Sequence, residues 1–148
     1  MGEYRIATEI HMDASRELVW QVLTDFARYG EWNPFIPWAE GTAREGERIR
    51  IKVQPAGKGG MVFRPRVLRC AEARELRWLG HLGVPGLFDG EHGFELEDGP
   101  DGGCRLRHTE LFRGLLVPLF RKGLEGETTQ GFHAMNAALK MRAETGHA

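Results

Sequence analysis

The sequence predicts an α+β fold: a curved antiparallel sheet of about seven strands, a long C-terminal helix across one face of it, and two short helices after the first strand. Three observations predict it. From residue 48 onward, short stretches alternate apolar with polar residues and are joined by glycine-rich turns, which is the period-two signature of half-buried strands. Turns this short make hairpins rather than parallel crossovers. From residue 118 to about 144 the period changes: Phe120, Leu124, Thr128, Phe132, Met135 and Leu139 recur at three- and four-residue steps and share one helical face. A sheet with one apolar face needs a cover, and this helix is the one element long enough to supply it.

Bulk properties narrow the function. A chain of 148 residues suits one domain, 1–148, with one core. The formal net charge of -1 argues against a nucleic-acid binder, which needs a basic excess or a basic face. No apolar run follows a basic start, and the longest apolar run, 115–120, is too short to span a bilayer. Cys70 and Cys104 have no paired spacing. The expectation is a cytoplasmic protein with reduced thiols.

Residues 4–12 open the chain with Tyr4, Ile6, Thr8, Ile10 and Met12 on one face of a strand. Asp13 is expected to cap the helix that follows, with Glu17 in its first turn. Leu18, Val19, Val22, Leu23 and Phe26 form that helix's apolar face, and a short second helical turn is expected around residues 25–29. The helical region must end before Pro34, because Asn33 is biased away from the helical conformation. Trp32, Phe35 and Trp38, spaced by Pro34 and Pro37, make either a buried corner or a rigid aromatic wall. Strands are then expected at 48–53, 61–70, 74–82, 87–97 and 104–113, with Pro65 marking an edge or a bulge. The run 57–60 (Gly-Lys-Gly-Gly) lacks phosphate-loop spacing and reads as a hairpin turn.

Two features do not fit a plain core. Gly123, Gly126 and Gly131 interrupt the terminal helix, each costing about 1 kcal/mol against Ala. Either the helix breaks near 123–126, or its thin middle faces a hollow. His92, His108 and Glu110 fall on inward faces among Phe88, Phe94, Leu106 and Phe112. Buried polar groups need partners or water, so the choice lies between a satisfied polar pair and a water-containing pocket. By residue type they also form a facial metal-ligand set, but no helical His-Glu-x-x-His motif accompanies them, and neither a metal nor a cofactor is expected. His108 and Glu110 are the candidates for acid–base catalysis.

The chain resembles the START-like superfamily, of the polyketide cyclase/dehydrase and lipid-transport type. Val19-Trp20-Gln21-Val22-Leu23-Thr24-Asp25, Glu31-Trp32-Asn33-Pro34-Phe35, Gly86-Leu87-Phe88-Asp89-Gly90-Glu91-His92, His108-Thr109-Glu110-Leu111-Phe112-Arg113-Gly114 and the run 131–139 carry the likeness. It implies a helix-grip fold, with a sheet wrapped around the terminal helix and a ligand cavity between them, beneath loops at 57–60 and 83–88. No catalytic motif runs through the family, so no catalytic residue follows from it. The expected function is binding of a small hydrophobic molecule, a lipid or a polyketide, by a monomer or weak homodimer. Its lining would be Trp32, Phe35, Trp38, Phe63, Trp78, Phe94, Leu124, Thr128, Phe132 and Met135, with His92, His108 and Glu110 orienting the ligand's polar end. The alternatives are a cyclase, aromatase or dehydrase using the same cavity, and a co-chaperone-like interaction domain.

Overall fold

Strand β1 (Gly2–Met12) opens the chain, in a computed structural model that describes residues 2–145. Its register with the last strand, β8 (Cys104–Gly114), closes the sheet across almost the whole sequence. The large sheet runs β1-β8-β7-β6-β5, with β5 at Arg66–Ala71, β6 at Glu75–His81 and β7 at Asp89–Asp98. All its pairings are antiparallel.

Helix α1 spans Arg16–Thr24 and buries Val19, Trp20, Val22 and Leu23. Its N-cap is Ser15, whose hydroxyl accepts the Leu18 N–H at 3.1 Å. This corrects the expectation for Asp13. That residue lies in the bend just after β1, and its backbone N–H donates to Glu144 at the far end of the chain, 2.7 Å away. A 3-10 turn follows at Phe26–Glu31, and the buried Tyr29 hydroxyl donates back to the Leu23 carbonyl.

The strands do not form one continuous sheet. Three short ones, β2 (Trp38–Glu40), β3 (Arg50–Val53) and β4 (Met61–Phe63), make a second sheet. The sequence pattern missed β2 and merged β4 with β5. Pro65 separates those two, because it has no N–H to give to a ladder. The sheets stay tethered at that corner: Ile49 N–H donates to the Pro65 carbonyl at 2.9 Å, and Arg48 bridges Arg66.

The terminal helix is continuous from 117 to 144. It comprises α2 (Val117–Gly123), a π-helical turn (Leu124–Thr128) and α3 (Thr129–Glu144). The glycines therefore do not break it. Gly126 sits in a widened turn with Gly123 just before it and Gly131 just after it in α3, and there the Thr129 hydroxyl donates to the Leu124 carbonyl five residues back, at 2.7 Å. Such turns are rare in helices and cluster at functional sites. Beyond it, Phe132, Met135 and Leu139 are wholly buried against the sheet.

On the convex face, ion pairs, most of them cross-strand, replace apolar packing. Arg77 contacts Glu75, Glu91 and Glu95, Arg105 contacts Glu97, and Arg107 contacts Glu9. No helix among the described residues is long and apolar enough to cross a membrane.

Candidate functional site

The concave face is organised in rows, because antiparallel register aligns inward residues across strands. One row reads Leu76–Phe94–His108–Thr8 and the next Trp78–His92–Glu110–Ile6. The third reads Gly80–Gly90–Phe112–Tyr4. There the sheet presents two side-chain-free positions side by side. Neither glycine has a positive φ, so the backbone does not require them and what they supply is space.

That space is a cavity of about 330 Å³ between the sheet and the helix. Its wall is apolar: Phe35, Ile51, Val53, Phe63, Pro65, Trp78, Phe88 and Phe112, with Gly123, Leu124 and Thr128 from the helix. The widened turn and the glycine row border the same cavity. Phe35 is placed by a local turn, since the Asn33 side-chain carbonyl accepts the N–H groups of Phe35 and Ile36 at 3.0 and 2.8 Å. Gly131 lets its ring approach the helix, because a Cβ there would overlap the ring. Phe35 then packs on Phe132, with ring centroids 5.3 Å apart.

The loops lie where the resemblance implied. Lys58 and Gly59 of the first, and Phe88 at the end of the second, border the cavity. The second loop is pinned rather than free: the Asp89 carboxylate accepts Gly86 N–H, and Leu115 and Leu116 donate to the carbonyls of Gly86 and Leu87.

One edge of the cavity is polar, and its hydrogen bonds can be counted. The Thr8 hydroxyl donates to the His108 carbonyl at 2.8 Å, so its oxygen accepts from Asn136 Nδ2 at 2.9 Å. Asn136 Oδ1 then faces His108 Nδ1 at 2.7 Å and accepts its proton. Burial, reinforced by the neighbouring His92, pushes the His108 pKa well below the usual histidine range, so its Nε2 carries a lone pair. That lone pair accepts from His92 Nε2 at 2.6 Å. His92 Nδ1 meets Glu110 Oε1 at 3.2 Å. Phe132 stacks flat on both imidazoles, at 5.1 Å from His92 and 4.1 Å from His108.

The thirteen residues expected from sequence therefore separate. Phe35, Phe63, Trp78, His92, Glu110, Leu124 and Thr128 line the cavity. His108, Phe94, Phe132 and Met135 do not. They are fully buried one layer deeper, where α3 packs flat on the sheet. Trp32 packs on Tyr29 at 5.2 Å, away from the hollow. Trp38 lies on the small sheet, 37% exposed, beneath the Arg50 guanidinium. The sequence reading left out Gly80, Gly90, Ile51, Val53 and Phe112 as lining. Ile51, Val53 and Phe112 were legible as inward residues from alternation. The facing glycines were not, because pairing between strands is absent from the sequence pattern. Among the described residues, no group of three His, Cys, Asp or Glu side chains is arranged to hold a metal ion.

Solved structures with the same fold include a START superfamily protein from Mycobacterium smegmatis, 25% identical, with TM-score 0.74, covering 97% of this chain and 99% of that one. The Zhui aromatase/cyclase from Streptomyces sp. R1128 is 19% identical, with TM-score 0.79, covering 99% and 100%. A protein from Mesorhizobium loti is 20% identical, with TM-score 0.76, covering 98% and 100%. No curated protein matches the chain. The family described as polyketide cyclase / dehydrase and lipid transport matches residues 3–144. On that match over nearly its whole length, the chain belongs to the polyketide cyclase/dehydrase and lipid-transport family.

Proposed function

We propose that the protein binds a small hydrophobic molecule in the cavity between sheet and terminal helix, with the molecule's polar end at Glu110. The observation that carries this is the form of the hollow: about 330 Å³, apolar on nearly every side, with a carboxyl group at one edge. That size is at the lower end for small-molecule sites, which combine apolar walls with few polar groups. Family membership supports the same reading. Glu110 is the group that touches the ligand; His92, 3% exposed, holds it from behind. The test is mass spectrometry of the purified protein in native and then denaturing conditions. A small molecule released on unfolding is the expected result. A protein that is empty and takes up no apolar compound on incubation overturns the reading.

One observation favours a second reading, a cyclase-, aromatase- or dehydrase-type enzyme in the same cavity. Glu110 meets His92, and His92 meets His108, in a line of titratable groups that begins at the cavity surface, and such groups can serve as general acids or bases. Here Glu110 is the catalytic residue and His108 a positioning residue, two steps from the ligand. Turnover separates the readings: a carrier returns its ligand unchanged.

A further inference from the structure

Four ionisable side chains border the cavity: Lys58, His81, His92 and Glu110. Each already has its counter-group inside the protein. Lys58 Nζ lies 3.4 Å from Glu127 at the exposed end. His81 Nδ1 lies 2.7 Å from Asp89, and His92 is paired with Glu110 at 3.2 Å. No cation of the lining is left over. The carboxyl of Glu110 leans over Gly90, where a Cβ would overlap its second oxygen, so the notch cut by the glycine row is bordered by oxygen rather than by nitrogen.

We infer that the cavity is selective for uncharged apolar molecules ending in a carbonyl or hydroxyl group, and that it rejects carboxylates of the same length and shape. The inference rests on the binding reading above and narrows its ligand class. An anion drawn into an apolar site loses its hydration and needs a charge partner in return. Here every candidate partner is engaged, and the group nearest the notch is itself an acid. A ketone or an alcohol asks for less. Neither brings a charge to be compensated, and the Glu110 carboxyl oxygens beside the notch can accept from a hydroxyl. The selectivity therefore comes from compensation already built into the fold rather than from the size of the hollow.

The test is a matched set of short probes, 2-octanone, 1-octanol and octanoate, titrated by calorimetry near pH 7.5, where octanoate is ionised. The ketone and the alcohol are expected to bind at least about tenfold more tightly than octanoate. A second arm uses Glu127→Gln, an exposed-end substitution that frees Lys58. It is expected to strengthen octanoate binding about threefold or more and to leave the ketone unchanged. Equal affinity for octanoate and 2-octanone in the unsubstituted protein overturns the selectivity while the binding reading stands. If none of the three probes binds, the binding reading fails, and this inference with it.

Discussion

The two ends of the terminal helix face different rows of one sheet and do opposite things there. Over Leu76–Phe94–His108–Thr8, α3 lays down Phe132, Met135 and Leu139, all wholly buried, and Asn136 closes the one polar gap. Two rows further along, the sheet offers Gly80 and Gly90, and the helix answers with Gly123, Leu124 and Thr128 at and beside its widened turn. Large residues meet large residues in the first region; small residues meet small residues in the second. The hollow is thus not a packing failure but a double subtraction, one on each layer, and the packed half is what keeps the layers apart.

The largest effect belongs to the packed half. Phe132→Ala removes a ring wedged between Phe35 and two imidazoles and is expected to cost about 3–5 kcal/mol, read as a lower urea midpoint at unchanged slope. A cost below about 1 kcal/mol would mean that α3 is not what holds the layers together. In the hollow half the sign of the experiment reverses. Thr128→Trp adds bulk where there is room, so stability is expected to change little while affinity for an apolar probe falls about a hundredfold, worth about 2.7 kcal/mol. Unchanged affinity would remove this helix face from the site.

Acid distinguishes the halves at a smaller scale. His108 is held neutral by burial, so the unfolded chain takes up a proton that the folded one refuses. With the folded pKa depressed, its contribution to stability is fully present above pH about 6.5 and is lost as pH falls below that value. Between about pH 6.5 and 5.5 the loss is expected to reach about 1 kcal/mol. His108→Gln should flatten that slope in urea titrations, whereas Thr128→Trp should leave it intact. A variant with the same slope as the unsubstituted protein would place the acid sensitivity elsewhere.

How much of this the sequence carried differs between the halves for a physical reason. Alternation assigned the inward faces of β1, β7 and β8 correctly, so His92, His108 and Glu110 were legible as inward polar groups. Periodicity gave the helix stripe from Phe120 to Leu139. It could not rank depth, and so it sent Phe94, His108, Phe132 and Met135 to the cavity when they belong to the layer beneath it. Trp38 failed for another reason: its strand is three residues long, below the length at which alternation speaks, and its ring lies on the outside with Arg50. The split into two sheets needed Pro65 to be read as a break rather than as a bulge. Asp13 and Ser15 compete for one cap, and only the extent of β1 decides between them. The series of polar contacts from Thr8 to Glu110 joins residues a hundred positions apart, which no local pattern encodes.

The finest probe of the double subtraction is a single methyl group. Gly80 has ordinary extended backbone and faces the hollow opposite Gly90. A Cβ built there meets Pro65 at 3.5 Å, an ordinary contact. Alanine also loses less backbone entropy than glycine in a strand, so Gly80→Ala is expected to stabilise the fold by about 0.5 kcal/mol. The same methyl intrudes on the ligand's space, and affinity should fall about fivefold. Stability and binding would then move in opposite directions through one added carbon, as expected if this position keeps glycine for room alone. A destabilised Gly80→Ala protein would show instead that the backbone or Pro65 needs the glycine, and the sheet's share of the hollow would have to be assigned to Gly90 and the lean of Glu110 over it.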